Sequence, residues 1–408
     1  MKTAVVLMTL ALTLTACGVG EQPSAPTPQQ REIRNLPGQM EEIHPDLYHA
    51  ISRKRFKAEA ERLATRAPRL SRAQLVVGLM RLATLPGERD GHTGLFALDP
   101  EHGRELSAYP FLTYVFPDGL YVIRAPSHPQ LVGARLVAVG GTPVDEVVRK
   151  VSPLVPRDNR WSRMLRLPAW LVCAEVLEGL GLTRGGPVRF EFDGGRTATL
   201  SPISASEYVA TIGYEHQLAR PSGPQPLWLS GLEESQYVQT IDDGRALYVG
   251  YHHTTEPTES LAERVIAAGR SSRIRRVIVD VRMNGGGNNQ TYRPLLRALA
   301  MPAVARKAYV LLGRVTFSAA GNFVTEVDLQ TKATLVGEPS GGAPNQWGDN
   351  ELVPLPRAGL TLRVASSYWV FGRGQKDRRV AVQPDVRVRM TAADFFAGRD
   401  PVLERALR

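Results

Sequence analysis

Cysteine is nearly missing from this chain. Two in 408 residues, Cys17 and Cys173, exclude a disulfide framework. Cys173 follows the apolar run Ala169-Trp170-Leu171-Val172, the setting of a small buried hydrophobe rather than a nucleophile. Lysine is scarce too, with 7 residues against 43 arginines. The formal net charge of +10 is therefore an arginine surplus, and no basic run interleaved with aromatics accompanies it. Nucleic acid is not an expected partner. Nucleotide phosphates are not expected either. No Gly-Lys-Ser/Thr of a P-loop occurs, and Gln290 stands where a dinucleotide fingerprint needs its third glycine. No metal or cofactor is expected. The apolar run from Ala4 to Leu14 is too short to span a bilayer as a mature helix.

That run, preceded by Lys2, suits the apolar region of a secretory signal. Its end, Leu14-Thr15-Ala16-Cys17, resembles the lipobox of bacterial lipoproteins. The resemblance implies removal of residues 1–16 and lipidation of Cys17, which would anchor the protein to the cell envelope outside the cytoplasm. Gly18 stands where an Asp would signal inner-membrane retention, which points to the outer membrane in a host that has one. Residues 17–40 are rich in Pro, Gln, Ser and Gly without hydrophobic periodicity, and are expected to form a flexible tether.

Residues 41–105 read as a helical region. Phe56, Ala60, Leu63 and Ala64 form an amphipathic stripe, and Ser71-Arg72-Ala73-Gln74 resembles a capping box ahead of the apolar run Leu75 to Leu85. Pro86-Gly87 stops that helix, and the next loop carries Asp90-Gly91-His92-Thr93. In residues 106–230 short β-like runs dominate, with a helical insert from about Trp161 to Leu182. The stretch from Gly133 to Val144 looks like the second half of a PDZ module, but no Gly-Leu-Gly-Phe-type loop precedes it. A structural remnant is expected. Residues 231–408 alternate strand and helix: strands at Ala246–Tyr251, Val277–Val281, Ala308–Leu312 and Ala333–Gly337, helices at Leu261–Ala268, about Thr291–Leu299 and about Ser318–Gln330. Such alternation needs right-handed crossovers and a parallel sheet. Ligands then bind at the carboxyl ends of the strands. Three of those ends carry Asn284-Gly285-Gly286-Gly287, Ser318 and Glu338-Pro339-Ser340-Gly341-Gly342.

A serine opening a helix presents its Oγ at the rim, and the next amide, of Ala319, points out of the positive end of the dipole. Bare glycine amides nearby offer a second donor for an oxyanion. The serine still needs a base. Lys332 lies at the far end of the same helix, about 20 Å away at 1.5 Å per residue. His92 is the candidate. Alone, Ser318 reads as a helix cap and His92 as a loop hydrogen-bonder; together they point to hydrolysis. Ser204-Ala205-Ser206-Glu207 is set aside, because it precedes the glycine triplet and follows a β run with no helix indicated.

Together the motifs resemble those of the carboxy-terminal-processing and tricorn-like serine peptidase family. They are Arg89-Asp90-Gly91-His92-Thr93, Asp280-Val281-Arg282-Met283-Asn284-Gly285-Gly286-Gly287, Ser318-Ala319-Ala320, Gly337-Glu338-Pro339-Ser340-Gly341-Gly342 and Pro384-Asp385. The resemblance spans roughly residues 40 to 390. It implies an α/β fold with a crotonase-like αββ core, a Ser318 nucleophile, and an oxyanion hole of the Ala319 amide with Gly286 or Gly287. His92 matches the base of the tricorn-like branch. Ala343 stands where the Ser–Lys branch carries its lysine. Asp377 fits the approximate place of the acid, with Asp90 and Glu338 as alternatives. His252 and His253 either line the pocket or simply end a strand. The expected activity is cleavage of polypeptides through an acyl-enzyme. The alternatives are a peptide-binding lipoprotein on a reduced peptidase fold and a non-proteolytic acyl hydrolase. The sequence sets no oligomeric state.

Overall fold

The computed structural model describes residues 25–98, 106–213, 218 and 223–408. The signal segment and Cys17 lie outside the described residues. The expected tether ends well before residue 40, because Pro28–Ile43 is a helix. Thr27 and Gln30 close a capping box around its first turn, and Pro28 fixes φ where no amide partner is needed. Ile33, Leu36 and Met40 bury one face of it. A composition rich in Pro and Gln concealed that stripe.

Helices Arg53–Arg66 and Arg72–Ala83 follow, the second with the expected Ser71–Gln74 capping box. They share one core with a four-stranded antiparallel sheet ordered Thr142–Pro143, Leu136–Val139, Val188–Phe192, Thr197–Leu200. After Leu136–Val139 the chain turns at Gly140 and Gly141, both at positive φ, and enters helix Val144–Val151. The helical insert is Arg160–Val172 and Ala174–Gly179, with Cys173 fully buried between them.

The second half is built on a six-stranded sheet. Its order is Val386–Arg387, Thr334–Gly337, Ala308–Leu312, Arg276–Asp280, Ala246–Tyr251, Gln236–Ile241; the last strand runs antiparallel and the others are parallel. Helices Glu259–Arg270, Arg293–Ala300 and Ser318–Gln330 cover one face, and Pro401–Leu407 covers the other through Val402, Leu403 and Ala406. Burial on both faces explains why these strands read as continuous apolar runs. The one acid among them, Asp280, accepts from Tyr248 Oη at 2.7 Å and from Arg282 Nε at 2.9 Å. Arg282 in turn makes a two-pronged contact with Asp400 at 2.8 Å on each prong. That buried network fixes the strand end from which the glycine triplet departs. Asp385, of the Pro-Asp pair, accepts the Leu335 amide at 2.8 Å and so secures the neighbouring strand.

Two ribbons follow that the sequence did not announce: Asn345–Gly348 with Ser367–Val370, and Glu351–Leu355 with Leu360–Val364. Val353, Leu355, Leu362 and Val364 pack into the amino-terminal core. The two halves of the chain are thereby joined above the sheet rim.

Candidate active site

Strand Ala308–Leu312 leads through the turn 313–317 into helix Ser318–Gln330. Within that turn Thr316 Oγ1 accepts the Gly313 amide at 3.0 Å and donates to the Val281 carbonyl at 2.9 Å. The Phe317 amide donates to the Asn284 carbonyl at 3.3 Å. The serine turn is thus laced to the glycine turn. Ser318 sits at φ +50°, a left-handed conformation that costs a non-glycine residue about 1–2 kcal/mol. Gln346 Nε2 holds it there, donating to the Ser318 carbonyl at 3.2 Å and to Asn322 Oδ1 at 2.9 Å. Strain of this kind persists only where the surroundings impose it. The Ala320 and Gly321 amides both donate to the Phe317 carbonyl, whereas the Ala319 amide has no acceptor among the described residues.

Asn284 shapes the glycine triplet from within. Its Oδ1 accepts the Gly286 amide at 3.0 Å and the Thr254 hydroxyl at 3.1 Å, and its Nδ2 donates to the Tyr251 carbonyl at 3.0 Å. The two glycines expected to share one role therefore differ. Gly286 has its amide engaged; the Gly287 amide has no acceptor among the described residues. Gly286 is at φ +119°, and a Cβ on it would lie 2.7 Å from Ser318 Cβ and 3.0 Å from the Ala319 nitrogen. Gly287 is at φ +142°, with its missing Cβ 2.3 Å from the Thr254 carbonyl oxygen.

His92 arrives on a loop gripped from both sides. Asp158 accepts the Arg89 amide on its carbonyl at 2.8 Å and the Gly91 amide on Oδ1 at 2.7 Å. Thr93 Oγ1 accepts the Ala365 amide at 3.0 Å, and Gly94 pairs with Arg363. The imidazole stacks on the ring of Phe317, the residue before Ser318, with centroids 4.7 Å apart. Arg166 lies over the same phenyl ring and donates to the Gly91 carbonyl at 2.8 Å. Burial, and after it the Arg166 charge, push the imidazole down to about 4, so it is neutral near pH 7 and able to take a proton. The Trp347 backbone and the Asp90 charge oppose that shift, and no carboxylate among the described residues hydrogen-bonds the buried Nδ1.

No expected acid fills that position. Asp377 is turned to Arg379, at 3.0 and 2.8 Å, and to the Arg373 amide at 2.9 Å, and Arg379 holds its carboxyl well below the usual range. An arginine two residues along, free to wrap back, competes successfully for it. Glu338 forms a two-pronged pair with Arg314 at 2.9 Å on each prong, and Asp90 faces His44. None of the three hydrogen-bonds His92. Gly286 lies against Ser318 and Ala319, and His92 stacks on Phe317, the residue before Ser318, whereas Asp377 is engaged by Arg379 and the Arg373 amide. His253 lines the adjoining cleft, while His252 is buried with Nδ1 against the Gly231 carbonyl at 2.9 Å. Ser204 does cap a helix, Ala205–Thr211, contrary to the expectation that none follows it. Its strand pairs with Ser107–Ala108 rather than joining the central sheet.

Asp158 and Asn159 went unnoticed in the sequence. Besides gripping Gly91, Asp158 accepts the Ala343 amide on Oδ2 at 3.0 Å. Asn159 Nδ2 donates to the carbonyls of Gly341 at 2.9 Å and Val380 at 2.6 Å. The pair locks the His92 loop to the segment following the Gly-Glu motif. An Asp-Asn ahead of a helix reads only as a cap, which Asn159 also is. Burial pushes Asp158 up to about 7; the Ala343 and Gly91 amides and Arg166 oppose that shift, and Asp90 adds to it. A carboxyl whose folded value exceeds its ordinary value of 3.8 favours the fold in its protonated form. Stability should therefore fall as pH rises from about 4 to about 7, then level off. Asp158→Asn should flatten that slope, at a cost of about 1–3 kcal/mol for the amide left facing an NH2 group. Urea denaturation across that pH range reads both effects, and an unchanged slope would assign the titration elsewhere.

The cleft bordered by Phe317 and Gly286 has a volume of about 460 Å³. Phe96, Leu165, Trp170 and Phe317 line it with Arg166 and Arg363, and Gly285 and Gly286 reach it from the triplet. Among the described residues that line it there is no carboxylate.

Solved structures share this architecture. Mature CPAF is 14% identical, with 93% of this chain and 96% of that one covered at a TM-score of 0.61. The fold is that of CPAF. A CPAF point mutant is 15% identical over 91% of this chain and 94% of that one, at a TM-score of 0.63. The CPAF likeness, at such identity, extends to the fold and not to activity. The photosystem II D1 C-terminal processing protease is also similar, at 13% identity, 89% and 94% coverage and a TM-score of 0.41, a value from which nothing follows for this chain. No protein-family model and no curated protein matches the chain.

Proposed function

We propose that this protein is a serine peptidase acting on polypeptides through an acyl-enzyme. The observation that carries the proposal is Ser318 itself: a non-glycine residue at φ +50°, followed by the acceptor-free Ala319 amide, packed against Gly286 of the triplet, and preceded by the Phe317 ring on which neutral His92 stacks. His92 takes the Oγ proton as Oγ attacks the peptide carbonyl. The oxyanion that forms is received by the Ala319 and Gly287 amides, and the protonated imidazole returns its proton to the leaving amine. Water then hydrolyses the ester by the same route in reverse order. Gly286 contributes space rather than a donor. In this reading Cys17 carries a lipid, and the enzyme works on the outer side of a membrane.

The want of a carboxylate on His92 Nδ1 among the described residues favours one rival, a peptide-binding protein whose base has lost its acidic partner. A fluorophosphonate probe separates the two. Stoichiometric labelling mapped to Ser318 supports the peptidase; a folded protein that binds peptides yet stays unlabelled supports the rival.

The glycine triplet allows a paired comparison. Gly286→Ala puts a methyl into the space between Ser318 and the Ala319 amide, and should lower kcat/KM by about 10²–10³-fold, the effect of losing an oxyanion donor. Gly285→Ala meets nothing within 4 Å, so it leaves the Ala319 amide clear and should lower kcat/KM far less, through the cleft wall alone. If steady-state kinetics on one unstructured substrate finds the two variants alike, the oxyanion position lies elsewhere.

A further inference from the structure

Next to the His92 loop, four buried polar atoms converge with no hydrogen-bond partner among the described residues: His44 Nε2, His49 Nε2 and both carboxylate oxygens of Asp90. One ligand-capable atom from each residue lies within 4.8 Å of those of the other two. His44 is 4% exposed and Asp90 2%, so bulk solvent does not serve them. A buried carboxylate without a hydrogen bond is costly unless something positive or protic completes it. His44 Nε2 lies 3.3 Å from Asp90 Oδ2 but is misaligned for a hydrogen bond. The Trp347 indole closes the space, its centroid 4.7 Å from that of His44 and 5.2 Å from that of His49.

The tautomers bear on what completes the site. His49 Nδ1 lies 3.0 Å from the Asp46 carbonyl, which can only accept, so Nδ1 carries the proton and Nε2 turns a lone pair inward. An imidazole whose outer nitrogen donates to a carbonyl is the usual form of a metal-bound histidine. His44 is arranged differently. Its Nδ1 accepts the Asp46 amide at 3.1 Å, which leaves the Nε2 proton facing Asp90. Metal binding would move that proton to Nδ1 and open the Asp46 contact, with no net proton released.

We propose that His44, His49 and Asp90 bind one zinc-like divalent transition metal. Two imidazoles and a carboxylate are a borderline donor set that suits such an ion, with a fourth position open to water. The metal would tie the end of helix Pro28–Ile43 and the turn after it to the loop bearing His92, two residues beyond Asp90. Its role is positional, and the site stands whether or not the protein proves to be a peptidase.

The test uses the untagged full-length protein, stripped with a chelator and dialysed against zinc. One equivalent of zinc by elemental analysis is expected, with a thermal midpoint raised by zinc, and Co²⁺ should give the visible absorption of a four-coordinate site. His49→Gln, at a half-buried position, should weaken zinc binding by more than the roughly 10–100-fold that loss of an outer-sphere partner produces. His253→Gln, outside the cluster, should not. Failure of the wild-type protein to hold zinc or cobalt would overturn the proposal, and so would undiminished binding by His49→Gln. The cobalt spectrum needs no variant, so the proposal remains testable even if His49→Gln misfolds.

Discussion

Ser318→Ala is expected to remove hydrolysis of an unstructured polypeptide almost entirely, by about 10⁵–10⁶-fold in kcat, the scale seen when a serine nucleophile is deleted from an intact site. The oxyanion donors, the cleft and the fold would remain, so the residual rate should stand above that of water and the circular dichroism spectrum should not change. Alanine at this position inherits the strained backbone. Glycine does not, because left-handed φ costs it nothing. Ser318→Gly should therefore be equally inactive yet more stable in urea, by about 1 kcal/mol once glycine's greater unfolded-state freedom is set against the relieved strain. Inactivity joined to gained stability is the signature of a conformation held for chemistry rather than for folding. Turnover surviving in Ser318→Ala would sink the mechanism outright. A Ser318→Gly protein less stable than wild type would instead mean that the left-handed turn is not strained in solution.

Much of the central sheet could be read from the chain because each part obeys a local rule. Helix Ser318–Gln330 and strand Ala308–Leu312 fall where expected, since a continuous apolar run ending at glycine or serine marks a buried parallel strand and its rim. The Ser71–Gln74 box was equally local. What escaped reading depends on partners far away in sequence. Asp158 acts through amides at Gly91 and Ala343, and no spacing rule links those three positions. The ribbons between Asn345 and Val370 matter because their Arg363 pairs with Gly94 and the Ala365 amide beside them donates to Thr93, contacts that exist only after folding. Helix Pro28–Ile43 was hidden because its polar face dominates its composition while Ile33, Leu36 and Met40 carry its packing. The division between Gly286 and Gly287 could not be read either, since it turns on which amide Asn284 reaches. Asp377 fitted the motif spacing, but spacing is blind to Arg379.

That last point separates two expected outcomes at the base. His92→Ala should lower kcat/KM by about 10²–10⁴-fold, the range for a lost general base. The Phe317 ring would lose its stacking partner, so some damage to the serine turn is expected as well. His92→Gln, which keeps a planar group but cannot take the proton, should fall into the same range. Asp377→Asn is the contrast. Had Asp377 oriented the imidazole, removing its charge would cost up to about 10⁴-fold, as in a triad whose histidine tautomer is lost. Here its oxygens serve Arg379 and the Arg373 amide, and Arg379 goes on to Asp328 at 2.8 Å. The substitution should therefore lower the urea midpoint while leaving kcat/KM within a few-fold of wild type. A loss as deep as that of His92→Ala would mean that substrate binding swings the 372–380 segment round to His92, and that Asp377 completes the site only in the complex.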